Sequence, residues 1–163
     1  KHKRANPRYV ESLTFSALPD GFTPLDVVFG DKIKLDGYRL NTETLGRRNS
    51  SLVVELALEV LESMSENYQL FVHVKGENGN TYSNNMDHVP LRGYLPTSRF
   101  EKGRIYLDVF SFDMAGSEEK GDIEITLGFH NKGKRLKISA KSGADLSAGI
   151  NQYKLLEIPV TSE

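Results

Sequence analysis

The stretch "DIEITLGF" at residues 122 to 129 sets Ile123, Ile125, Leu127 and Phe129 on one side of an extended chain and Asp122, Glu124 and Thr126 on the other. Strict alternation is the signature of a strand with one buried face, because successive side chains leave a strand in opposite directions. It also fixes register, since a slip of one residue would turn the whole apolar set toward water. The same rhythm recurs in "YQLFVHVK", which groups Tyr68, Leu70, Val72 and Val74 against Gln69, Phe71, His73 and Lys75. "RLKISA" sends Leu136, Ile138 and Ala140 one way, and "LLEIPV" does so with Leu156, Ile158 and Val160. Pro159 has no amide hydrogen to give a ladder, so this last strand belongs at an edge or ends there.

In "DKIKLDGYRLN" the alternation passes from Ile33 and Leu35 to Tyr38 and Leu40, one residue out of step. The extra residue at Asp36-Gly37 predicts a β-bulge. Further strands are predicted over residues 9 to 17, 25 to 29 and 104 to 112. "SLVVELALEVLESMSEN" is ambiguous: Glu55, Glu59 and Glu62 have helical spacing, while Leu52, Val54, Leu56, Leu58 and Val60 alternate. Its neighbours are short strands and turns, which favours a strand. "GENGN", with Asn78-Gly79, and "NKGK" at 131 to 134 read as hairpin turns. "SGADLSAGINQ" reads as loop with one short helical turn.

Eight or nine short strands separated by Gly- and Asn-containing turns predict an all-β fold, an antiparallel β-sandwich of immunoglobulin-like or jelly-roll-like type. With 163 residues and no internal repeat or linker, one domain over 1–163 is expected, with loose ends at 1–8 and 161–163. Twenty-one basic residues against 22 acidic ones leave no field to attract nucleic acid. No apolar run is long enough to span a bilayer. The lack of cysteine excludes disulfides and thiolate metal sites. A chain that opens on Lys1, with neither Met nor an apolar leader, is expected to be a piece of a longer protein.

Candidate chemistry is sparse. "GFHNKGKR" approaches a phosphate-binding loop through Gly128, Gly133 and Lys134, but Arg135 stands where a hydroxyl is needed and a strand follows instead of a helix. His2, His73, His88 and His130 lack metal-ligand spacing, so no metal and no cofactor is expected. His73 reads as a packing residue beside Phe71. Asp87 and His88 are adjacent and form a carboxylate–imidazole pair to test. There is no nucleophile elbow, and Asp108 and Asp113 read as the wet face of a sheet. Catalysis by this chain is therefore not expected. Tyr82, Tyr94 and Phe100 are the loop aromatics available as sugar platforms, and anchoring the loop is the plainer role for each.

"FGDKIKLDGYRL", "YQLFVHVKGENG", "DHVPLRGYLPTSRFEKGRIYLDVFSF" and "GDIEITLGFHNKGKRLKI" follow one another over roughly residues 28 to 140. Together they resemble the soluble C-terminal β-sandwich domain of bacterial membrane glycosyltransferases of the dolichyl-phosphate-mannose mannosyltransferase and aminoarabinose-transferase-like type, a domain also found in uncharacterised exported proteins. The chain lacks the tryptophans that this family often carries in the strand matching 52 to 61 and at the position of Phe100. The resemblance implies that "VVELALEVLE" is a strand. It implies an extracytoplasmic, membrane-tethered accessory domain whose partners are the membrane domain of the same polypeptide or a saccharide. Catalytic residues in that family lie outside this domain, so none is carried over. A freestanding adhesive module at the cell surface and a carbohydrate-binding module are the alternatives.

The segment "DHVPLRGYLPTSRFEKG", residues 87 to 103, is expected to be a rigid crossover between two sheets. Asp87 is expected to cap a turn, Pro90 and Pro96 to stiffen the path, Gly93 and Gly103 to allow bends, and Thr97 to bond back to the backbone. Leu91, Leu95 and Phe100 are placed to pin it to the core. The possible ligand or partner surface is Tyr82, His88, Arg92, Tyr94 and Phe100.

Overall fold

A computed structural model describes residues 6–40, 51–76, 86–113, 122–140 and 151–159. Among these residues the chain forms one short helix and ten strands in two antiparallel sheets. The helix is α1 (Pro7–Ser12), and the strands are β1 (Thr14–Phe15), β2 (Thr23–Phe29), β3 (Ile33–Leu40), β4 (Ser51–Val60) and β5 (Gln69–Gly76). They continue as β6 (Ile105–Asp113), β7 (Asp122–Asn131), β8 (Lys134–Arg135), β9 (Ile138–Ala140) and β10 (Tyr153–Pro159). The larger sheet runs β1-β6-β4-β3-β2-β9 and the smaller β10-β7-β5, with β8 paired to β7. This is the all-β sandwich that the alternation requires.

The alternating residues do form the core. Leu52, Val54, Leu56, Leu58 and Val60 on β4 are at most 1% exposed, facing Leu70, Val72 and Val74 of β5 and Ile123, Ile125, Leu127 and Phe129 of β7. Phe29 and Phe129 meet edge to face across the sheets, with centroids 5.1 Å apart. Each such side chain contributes about 1.5–3 kcal/mol on burial. β4 is therefore a strand. On its other face Ala57, between Glu55 and Glu59, is buried as well, in a second cluster with Phe22, Ile105 and Leu107. The register of β3 on β4 shifts between Leu35 and Gly37, the predicted bulge. A Cβ on Gly37 would lie 2.6 Å from the Thr23 carbonyl oxygen, which is why only glycine fits there.

Two expectations are corrected. Residues 9 to 17 are not one strand: α1 begins at Pro7, with the Asn6 side chain accepting the Tyr9 amide. Pro supplies a preset backbone angle and Asn a cap, two local signals that outweigh the apolar pattern. The segment then lays Leu13, Phe15 and Leu18 over the second cluster, on the outer face of the larger sheet. The strand expected in "RLKISA" is split. Lys134–Arg135 pair with β7 and Ile138–Ala140 with β2, so the chain changes sheets at residues 136 and 137. The turn at Asn78-Gly79, most of "SGADLSAGINQ" and the end at 161–163 lie outside the described residues.

Candidate functional site

The crossover joins the sheets by its polar groups. Leaving the smaller sheet, His88 exchanges both backbone hydrogen bonds with Leu70 at 2.9 Å, and Asp87 Oδ1 accepts the Val72 amide at 3.3 Å. Asp87 thus satisfies part of the open edge of β5. The chain then makes a 3₁₀ turn over Pro90–Gly93 in which Leu91, Arg92 and Gly93 have φ of 54°, 54° and 77°. Only the last is a residue that enters this region without strain; the left-handed conformation costs an L-residue about 1–2 kcal/mol.

What holds the turn is Asp108, whose side chain is 0% exposed. It lies on the core side of β6, in step with Tyr106, Phe110 and Phe112, and so is not on the wet face as its charge suggested. One carboxylate oxygen accepts the Leu91 amide at 2.9 Å and the other meets His88 Nε2 at 2.6 Å. His88 Nδ1 lies 2.8 Å from the Met86 carbonyl oxygen, which can only accept, so Nδ1 carries a hydrogen. A second proton must then lie between Nε2 and Asp108. Burial opposes charge on the imidazole, but the hydrogen bond and charge of Asp108, the Met86 carbonyl and Asp87 outweigh it and raise the His88 pKa above 6.5. Loop, smaller sheet and larger sheet thus meet at one buried ion pair.

The rest of the crossover is fastened similarly. Thr97, 0% exposed, accepts the Tyr68 amide at 2.9 Å and donates to the Glu66 carbonyl at 3.2 Å. Phe100 stacks on Tyr106 at 4.2 Å, and the Tyr106 hydroxyl accepts the Glu101 amide. Gly103, with φ of 84°, donates to the Val60 carbonyl as the chain enters β6. Pro90 and Pro96 open successive 3₁₀ turns.

The expected surface comes apart. Phe100 is 3% exposed, a core anchor and no platform. His88 is half-buried with both nitrogens engaged inside the fold. Tyr94 lies against Tyr9 with centroids 4.8 Å apart. Arg92 is exposed at the tip of the strained turn. Tyr82 lies outside the described residues. The expected Asp87–His88 pair is replaced by His88–Asp108, and Asp87 instead lies 3.9 Å from His130 Nε2. His130 Nδ1 accepts the Gly133 amide, which places the ring's proton on Nε2, buried without a hydrogen-bond partner.

Sequence reading missed Asp108. The signal was present: in "RIYLDVFSF" the alternation that aligns Tyr106, Phe110 and Phe112 passes through residue 108. A carboxylate on an apolar face needs a buried partner. Among the described residues no three His, Asp or Glu side chains gather as metal ligands, and no helix is long and apolar enough to cross a membrane.

Fold and site define a two-sheet β-sandwich cross-braced by a buried carboxylate–imidazole pair. No protein-family model and no curated protein matches the chain. Among solved structures it is similar to a putative beta-galactosidase from Bacteroides fragilis, at 9% identity and a TM-score of 0.38. That match covers 64% of this chain and 15% of the other, a likeness too slight to carry an argument.

Proposed function

We propose that this chain is a non-catalytic accessory domain that stands outside the cytoplasm as part of a membrane-tethered, glycosyltransferase-like protein, where it braces the membrane domain or helps to handle a saccharide. The observation that carries the non-catalytic reading is the engagement of the groups best suited to chemistry. Asp108 spends both oxygens and His88 both nitrogens inside the fold. A general base needs a free lone pair within reach of substrate, and this pair offers none. The parentage rests on the sequence resemblance over residues 28 to 140. Adhesion by strand addition to the larger sheet is the poorer reading, because that sheet ends in strands of two and three residues, which offer little edge to pair with.

The test is to express the gene with its native flanking sequence, locate the chain by protease accessibility in intact cells, and assay the purified chain against nitrophenyl glycosides and esters. Membrane attachment, exposure outside the cytoplasm and no turnover support the reading. Turnover abolished by Asp87→Ala or Asp108→Asn refutes the non-catalytic part; a chain found in the cytoplasm refutes the rest.

A further inference from the structure

The hairpin joining β7 to β8 closes with Lys132 and Gly133 at φ of 48° and 79°, the two left-handed positions of a type I′ turn. Asn is the usual residue at the first of these, and Lys there is strained. The strained turn stands over a cleft of about 380 Å³, within the range that small-molecule sites occupy. Its wall includes Lys132, Lys134 and Arg135, with Glu66 the single carboxylate among the described residues that line it. Lys132 and Lys134 make no ion pair among the described residues, although the chain as a whole carries a net charge of -1. Arg135 is held over the Phe71 ring at 4.4 Å, so its charge is already positioned. Tyr68, 6% exposed, and Leu136 give the cleft an apolar wall, while Asn131 and Glu66 offer an amide and a carboxylate to hydroxyl groups.

From these observations we infer that the cleft binds a small polyhydroxylated anion, a sugar bearing a phosphate or a carboxylate. Lys132 and Lys134, gathered at one rim, repel one another, and an anion relieves that repulsion as it binds. Glu66 biases the cleft against a bare inorganic anion and accepts from hydroxyls that a sugar carries. The choice of a sugar framework rests on the saccharide-handling reading above; the preference for an anion rests on the cleft alone.

The test is an amide chemical-shift titration of the whole chain with glucose 1-phosphate, glucuronate, neutral glucose and inorganic phosphate. Saturable shifts at residues 131–136 and Tyr68 with either anionic sugar, weakened by added salt and absent with glucose, support the inference; which of the two sugars binds tighter tells phosphate from carboxylate. Lys132→Asn should weaken binding by about two- to fivefold, the worth of one exposed charge pair. That variant relieves the turn, so its thermal midpoint should not fall, and lost binding cannot be blamed on misfolding. No saturable shift at these residues, unchanged binding in Lys132→Asn, or inorganic phosphate binding as tightly as glucose 1-phosphate each overturns it. These outcomes leave the location and turnover tests of the accessory role untouched, so the two readings fail separately.

Discussion

Removing His88 should be far more damaging than its half-exposed position suggests, and removing Asp108 with it should repair part of the damage. His88→Ala leaves the Asp108 carboxylate, 0% exposed, with the Leu91 amide as its remaining hydrogen-bond partner among the described residues. Breaking a buried pair from one side costs about 3–5 kcal/mol, because a charge is left in the interior without compensation. Asp108→Asn is milder. The amide oxygen still accepts from Leu91, and the amide nitrogen donates to a neutral His88 Nε2, so the loss is that of charge assistance, about 1–2 kcal/mol. In the double variant His88→Ala/Asp108→Asn no charge is buried, and its stability should exceed that of His88→Ala alone. The assay is urea unfolding at pH 7 by linear extrapolation, closed as a double-mutant cycle. Additive losses, with the double variant the least stable of the four, would refute the reasoning. The pH dependence adds a sign. The folded-state pKa of His88 is raised, so the pair's contribution is fully present below 6.5 and is lost as pH rises through the folded value. Asp108→Asn should abolish that alkaline loss.

Asp36, on the β3 bulge, has its pKa raised to about 6, by burial first and against the hydrogen bond from Lys34. Between 3.8 and that value the folded state holds more protons than the unfolded, so this group makes the fold less stable as pH rises through the interval. Asp36→Asn should flatten the stability profile between pH 4 and 6 and raise stability at pH 7, as read by thermal midpoints at each pH. Thr97→Val should cost about 1–3 kcal/mol in urea unfolding by leaving the Tyr68 amide buried and unpaired; a loss below about 0.5 kcal/mol would contradict the role given to Thr97. Arg92→Gly should stabilise the chain by up to about 1 kcal/mol, because glycine takes a φ of 54° without strain, and a drop in thermal midpoint would show that the Arg side chain is needed.

Most of the framework was legible because a half-buried strand writes its period into the chain. Leu52 to Val60 and Ile123 to Phe129 are readable one residue at a time, and the bulge at Asp36-Gly37 appears as a missed beat. The start of the chain was not legible by the same rule. Asn6 and Pro7 act locally on α1, and "YVESLTF" carries an apolar pattern that either structure can use. The change of sheet at residues 136 and 137 leaves no mark in composition, since both halves of "RLKISA" are strand. The crossover's role was visible in its prolines, glycines and Thr97. Its key partner was not, because a pairing between residues 20 apart depends on which strand the loop is folded against. Asp87 and His88 are neighbours in sequence, and extended backbone turns neighbours to opposite sides.

The polar groups of residues 87 to 103 brace the sandwich, with His88 bound between Met86 and Asp108. Nitrogen-15 shifts of the His88 ring, followed across pH, test this most directly. The account predicts a ring with hydrogen bonds engaged at both nitrogens, titrating above 6.5, and returning toward the ordinary value in Asp108→Asn. A ring with one nitrogen open to solvent, titrating like a free histidine and indifferent to Asp108→Asn, would contradict it.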